Sequence, residues 1–205
     1  MVAVNALLDT PLPTPALLEH ALEGEKYASG GLHADNVAPC LLGGLVLCPR
    51  VLLPQAIPLP VPAGVSAVLS HPNLQVNTAQ ARRGLARGYT MEQWLSQQGY
   101  LAGFIAACAA SDVDLMRRTL KDVIIEPQRA AAVPCFDAVR EAALRAGAIG
   151  FSLSGSGPSL FAWSPAERSG DVRLAMTDAL ATRGVDCEAW ESPVDAPGAR
   201  IESID

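Results

Sequence analysis

The apolar pattern changes its period at Gly147, and that change constrains the fold more than any other feature of the chain. Upstream, Ala138 to Ala146 carries helical spacing, and Gly147 stands where a helix commonly closes. Downstream, Ala148 to Leu153 and Leu160 to Trp163 read as strands, Val172 to Thr182 as a helix, and Cys187 to Trp190 as a strand. Gly64 to Ser70, GVSAVLS, is a further β-branched strand candidate, which His71-Pro72 is expected to end. This order suits an antiparallel sheet with helices on one face better than a doubly wound sheet, which makes the fold class α+β.

Ahead of that region, Met1 to Leu8 is apolar and helix-compatible but has no N-cap residue before it. Pro11, Pro13 and Pro15 then form a rigid break, and Thr14 is an N-cap candidate for a helix from Pro15 to Glu25. The stretch GGLHADNV, Gly30 to Val37, leads into APCLLGGLVLCPRVLLP, which predicts a buried helix start and a strand divided at Gly43-Gly44. Met91 to Ala110 places Trp94, Leu95, Leu101, Phe104, Ile105 and Cys108 at helical spacing, and Asp112 to Val123 reads as another helix. No internal repeat interrupts this order.

At 205 residues, half of them hydrophobic, the chain suffices for one generous domain or two small ones. A formal charge of -6 argues against a nucleic-acid surface, which normally carries a basic stripe, and points to small-molecule ligands. The five cysteines, Cys40, Cys48, Cys108, Cys135 and Cys187, form no CxxC pair and suit a reducing compartment, so a cytoplasmic location is expected. The N-terminus has neither the basic nor the long apolar region of a signal or transit peptide. Val37 to Cys48 is too short to span a bilayer, and no membrane role is expected.

Chemistry could sit in three places. Ser152 to Ser159, SLSGSGPS, lies between two strands, where its backbone N–H groups could form an anion-binding nest; a tight hairpin capped by hydroxyls is the equal alternative. His33, Asp35 and Asn36, together with Glu25, could hold magnesium and a polar substrate group. Spacing alone favours a plainer arrangement, with Asp35 or Asn36 as the N-cap of the next helix and His33 a hydrogen-bonded turn residue. Arg82, in Thr78-Ala79-Gln80-Ala81-Arg82, and Arg129, in Glu126-Pro127-Gln128-Arg129, have the fork geometry for a carboxylate or phosphate, although arginines on helices are usually only solvated. Neither GxxxxGK[ST] nor GxSxG occurs, and no cysteines and histidines have zinc-site spacing.

In order, Glu25, HADNVAP (His33 to Pro39), the strand ending His71-Pro72, Thr78 with Arg82, Glu126-Pro-Gln-Arg129 and SLSGSGPSLF (Ser152 to Phe161) resemble the homoserine kinase family. That family belongs to the superfamily of galactokinase, homoserine kinase, mevalonate kinase and phosphomevalonate kinase. The resemblance covers nearly the whole chain. It implies the rear part of a ribosomal-protein-S5-domain-2-like domain over residues 1–62 and a ferredoxin-like antiparallel sheet with helices over 63–205. The implied activity is ATP-dependent phosphorylation of the L-homoserine side-chain hydroxyl to O-phospho-L-homoserine, a step of threonine biosynthesis, with Mg²⁺ and a homodimer. By position, Glu25 would help hold Mg²⁺, and Asn36 would lie near the accepting hydroxyl. Arg82 and Arg129 would clamp the substrate carboxylate beside His33 and Thr78, and Gly155, Ser156 and Gly157 would support the phosphate site. A carboxamide is no general base at neutral pH, so such a site would work by positioning and charge stabilisation.

The superfamily's proline followed by a GLGSS-like loop is absent from these 205 residues, and Met1 to Leu8 resembles the later turns of the helix that this loop opens. The expectation is therefore a chain lacking its N-terminal ATP-loop segment, with weak or no kinase activity alone. The alternatives are a non-catalytic homoserine-binding or amino-acid-binding protein and a small-molecule kinase acting on another alcohol.

Overall fold

Proline spacing shapes the first part of the fold. The structure is a computed structural model that describes residues 1–29, 31–74, 85–86 and 88–202. Helix α1 (Val2–Asn5) is a single turn with no buried residue. The Asn5 side chain ties it to the proline break, donating to Leu12 O (3.1 Å) and accepting from Leu12 N (2.7 Å). Helix α2 (Thr14–Ser29) begins at Thr14 with Pro15 in its first turn, where a missing N–H costs nothing, and it runs past Glu25 to Ser29. It buries Leu17, Leu18 and Leu22.

Helix α3 (Ala34–Leu42) and strand β1 (Leu45–Leu47) part at Gly43-Gly44, as their sequence predicts. β1 pairs antiparallel with β2 (Ile57–Leu59), Leu45 opposite Leu59. Leu18 and Leu22 of α2 meet Ala34 and Ala38 of α3 in a small core, and Val46 and Cys48 pack against it. The chain beyond Val194 joins these residues: Pro197 forms a bridge with Gly43, and Ala199 N donates to Cys40 O at 2.9 Å. Met1–Val61 with the chain from Val194 thus makes one unit, and Pro62–Pro193 makes a second.

The second unit holds β3 (Val65–Pro72), α4 (Met91–Ala110), α5 (Val113–Thr119), α6 (Glu126–Ala130), α7 (Phe136–Arg145), β4 (Gly150–Leu153), β5 (Leu160–Pro165), α8 (Ser169–Ala181) and β6 (Cys187–Pro193). The strands form one antiparallel sheet in the order β4-β5-β3-β6, the β-α-β-β-α-β arrangement of ferredoxin-like folds. Its core side carries Val68, Phe151, Leu153, Leu160 and Ala162, packed with Val139 and Ala143 of α7 and with Val172, Met176 and Leu180 of α8. The last three recur every fourth residue and form one helical stripe. On the other side, Trp163 meets Phe104 of α4, ring centroids 5.4 Å apart.

Two boundaries in this unit differ from the sequence expectation in an instructive way. β3 does not stop at Ser70: His71 and Pro72 oppose Glu188 and Cys187 of β6. Pairing with β5 ends at Ser70, so Pro72 owes no N–H on that side. α5 ends at Thr119, well before Val123: Leu120 leaves the helical region with ψ 75°, Gln97 Oε1 of α4 accepts from Val123 N (2.8 Å), and Asp122 Oδ1 accepts from the backbone of Ile124 (2.9 Å) and Ile125 (2.8 Å). The short helix α6 follows. α4 spans the residues its periodicity predicts, opened by a capping box of Thr90 and Gln93.

Leu160 is fully buried where β5 meets both α7 and α8. Leu160→Ala should lower the unfolding free energy of the second unit by about 2–5 kcal/mol, measured by urea denaturation with Trp163 fluorescence as the probe.

Candidate functional site

The chain between β4 and β5 is a tight hairpin. Ser154 N donates to Ser159 O at 2.9 Å, and Gly157 N donates to Ser154 O at 3.0 Å. Gly155 (φ 61°) and Gly157 (φ 76°) take the left-handed conformations that the bend requires. Two distant side chains hold the hairpin at its ends. Arg129 Nη1 donates to Gly155 O at 2.5 Å. His71 Nδ1 lies 2.8 Å from Ser159 Oγ.

Arg129 is presented by α6, and the sequence EPQR builds that helix from its first residue. Pro127 occupies the first turn. The Ser152 hydroxyl of β4 donates to Glu126 Oε2. Gln128 Oε1 accepts from Ala86 N (2.7 Å), while its Nε2 donates to Ile124 O (2.5 Å). Burial pushes the Glu126 carboxyl above its ordinary value of 4.5; the Ser152 hydrogen bond and Arg140 oppose the rise, and Asp122 and Asp137 add to it. Arg129 Nε is buried without a hydrogen-bond partner. Leaving a buried donor unspent costs roughly 1–3 kcal/mol. A guanidinium with one donor on a carbonyl and another unspent is suited to a planar carboxylate or phosphate.

In the first unit, α2 carries Glu25 and α3 carries Asn36. His33, with φ -118° and ψ 98°, occupies the N-cap position of α3. That corrects the plainer expectation from spacing: neither Asp35 nor Asn36 is the N-cap, and both lie in the first turn. A Cβ at Gly31 would stand 2.9 Å from His33 Nε2, so the glycine makes room for the imidazole. Asn36 is exposed and lines a cavity of about 740 Å³ with Ala21, Val37 and Cys40. Asp35 contributes, after burial, to the raised pKa of the Cys48 thiol.

The structure therefore joins Arg129 directly to Gly155 in the second unit, beside Ser156 and Gly157, and sets Glu25, His33 and Asn36 on the paired helices of the first. Thr78 and Arg82 lie outside the described residues. Sequence reasoning missed His71, Glu126, Gln128 and Ser152 as supports; Glu126 and Gln128 stood inside the very motif that singled out Arg129. Among the described residues, no three of His, Cys, Asp or Glu gather as a metal site. A magnesium ion at Glu25 would draw its other oxygens from phosphates and water, which suits that ion.

Residues 104–182 match the GHMP kinases C terminal family. Homoserine kinase of Xanthomonas campestris pv. campestris (strain B100) is 42% identical over 202 residues, 98% of this chain and 62% of that protein. Homoserine kinase of Chlorobium phaeobacteroides (strain BS1) is 40% identical over 204 residues, again 98% of this chain and 64% of that protein. The crystal structure of homoserine kinase from Cytophaga hutchinsonii ATCC 33406 superposes with a TM-score of 0.90 at 39% identity, covering 95% of this chain and 62% of that one. An L. major mevalonate kinase, 17% identical with a TM-score of 0.61 over 92% of this chain and 60% of its own, shares the fold. The likeness to the GHMP kinases C terminal family thus lies in the second unit, and the sequence relatives of the whole chain are homoserine kinases, of whose length it spans about 62%.

Because the native Glu126 carboxyl holds its proton to a higher pH than the unfolded chain does, its contribution to stability falls as pH rises from about 4.5 through the native value. Glu126→Gln keeps an acceptor for Ser152 and removes that titration. The unfolding midpoint of Glu126→Gln relative to the parent chain should rise as pH increases across this window, read by thermal denaturation from pH 4 to 8.

Proposed function

We propose that the protein to which this chain belongs transfers the γ-phosphoryl group of ATP to the side-chain hydroxyl of L-homoserine, giving O-phospho-L-homoserine for threonine biosynthesis. The observation that carries this reading is Arg129: a half-buried arginine whose Nε is unspent, pinned to the Gly/Ser hairpin, in a chain 42% identical to a homoserine kinase. On this reading Arg129 and Arg82 grip the substrate carboxylate, and His33 and Thr78 are further substrate-binding residues. Asn36 lies near the accepting hydroxyl, orienting it without taking its proton. Gly155, Ser156 and Gly157 support the phosphate site, and Glu25 helps to hold Mg²⁺ with the nucleotide.

Positioning and charge stabilisation are what phosphoryl transfer chiefly asks of a protein, so a site of arginines, a carboxamide and glycine-rich backbone is chemically adequate. ATP and Mg²⁺ supply the phosphoryl group and neutralise its charge. All five cysteines are free thiols, which fits the cytoplasmic location proposed here. No helix among the described residues is long and apolar enough to cross a membrane. Assembly as a homodimer belongs to the same proposal.

Calorimetric titration with L-homoserine tests the substrate assignment directly on residues 1–205. Binding is expected, and Arg129→Ala should weaken it at least tenfold, the scale of one charge-assisted contact. Retention of full affinity by Arg129→Ala would remove the carboxylate clamp. A coupled assay for ATP turnover by residues 1–205 separates kinase activity from binding alone.

A further inference from the structure

Two side-chain contacts fasten α6 to the β4 hairpin, and both join residues with the same sequence offset. Ser152 meets Glu126, and Gly155 meets Arg129. Glu126 and Arg129 are one helical turn apart, so both project from one face of α6, about 4.5 Å apart along its axis. Ser152 and Gly155 are likewise three residues apart, across the end of β4 and into the bend. The helix turn therefore lies along the strand end in a fixed register, held at one end by a carboxylate and at the other by a guanidinium.

The two fastenings differ in what they commit. Ser152 interrupts the buried apolar residues Phe151 and Leu153 and turns its hydroxyl to the carboxylate. Glu126 is buried enough to resist ionisation, a cost that a purely structural helix start would avoid by exposing the acid to water. Arg129, by contrast, spends Nη1 on the Gly155 carbonyl and leaves Nε buried and unspent. A helix turn of five residues, Glu126–Ala130, has little stability of its own. Its orientation, and with it the direction of the guanidinium, depends on outside contacts.

We propose that Glu126 and Ser152 are positioning residues for Arg129: their hydrogen bond sets the register of α6 against β4, so that the guanidinium rests on the Gly155 carbonyl with its Nε edge poised for the substrate carboxylate. The substrate half of this statement rests on the homoserine reading above. The positioning half stands on the contacts alone.

The test follows the Arg129 side chain itself. In residues 1–205 labelled with ¹⁵N, the Arg129 Nε–H resonance, assigned with Arg129→Lys, reports both its exchange with water and its response to L-homoserine. Ser152→Ala and Glu126→Ala should each speed that exchange and weaken homoserine binding by about tenfold, the scale of one lost hydrogen bond. Glu126→Gln, which still accepts from Ser152, should stay within about twofold of the parent. Backbone amide exchange at Val68 and Ala162 in the sheet core should not move, which separates misdirection of Arg129 from unfolding. Unchanged Nε–H exchange in both alanine variants, or a glutamine variant as impaired as Glu126→Ala, would overturn the proposal. If the parent chain binds no homoserine, the substrate reading fails, and the exchange comparison still decides the positioning role.

Discussion

The pairing of β3 with two strands from distant parts of the chain is the constraint on which the second unit depends. Val65–Pro72 lies between β5 and β6, so a single strand fixes the register of both. Ser70 opposite Leu160 sets where β5 begins, and this leaves His71 beside Ser159 at the mouth of the hairpin. β4 takes its register in turn from β5, with Leu153 opposite Leu160. The sites of Gly155 and Gly157 are thus consequences of sheet pairing. The apolar face that drives this pairing is continuous from Val68 through Leu160 and Ala162 to the stripe on α8.

Upon that rigid sheet sits a short helix that could not stand alone. α6 is held by Ser152 through Glu126, by Ala86 and Ile124 through Gln128, and by Gly155 through Arg129. Polar contacts dominate here, whereas apolar burial dominates a few residues away in α7 and β4. The difference suits a site: a guanidinium must be aimed, and hydrogen bonds confer direction that hydrophobic burial does not. Two buried side-chain polar atoms among the described residues have no partner, Ser70 Oγ and Arg129 Nε. Ser70 is a small hydroxyl inside the sheet, and nothing in the structure explains its lack of a partner. Arg129 lies against the hairpin, where an unspent donor has a chemical use.

Much of the fold was legible because its determinants are local. The apolar spacing of Met91 to Ala110 matched α4, and Gly43-Gly44 divided α3 from β1. Boundaries failed where a distant partner decided them. Pro72 stays in β3 because it pairs with β6, far along the chain, while pairing with β5 has already ended at Ser70 and asks for no N–H there. α5 stops short where Gln97 of α4 takes the Val123 amide and the Asp122 side chain captures the next two, interactions that compete with helix and leave no mark in periodicity. His33 takes the cap position ahead of the residues whose chemistry favours it: its extended backbone (φ -118°, ψ 98°) and the packing of α3 on α2 outrank intrinsic preference.

By itself the sequence determined the α+β class, the Gly/Ser bend between two strands, and the resemblance to homoserine kinases that the comparisons bear out. These depend on periodicity, on glycine's conformational freedom and on residue identity, all properties of short stretches. Tertiary structure alone decided that Arg129 rests on Gly155, that Ser152 meets Glu126, and that the chain beyond Val194 returns to Gly43. Each of these joins residues far apart in sequence, and such contacts follow from strand register and helix packing, which no local pattern specifies.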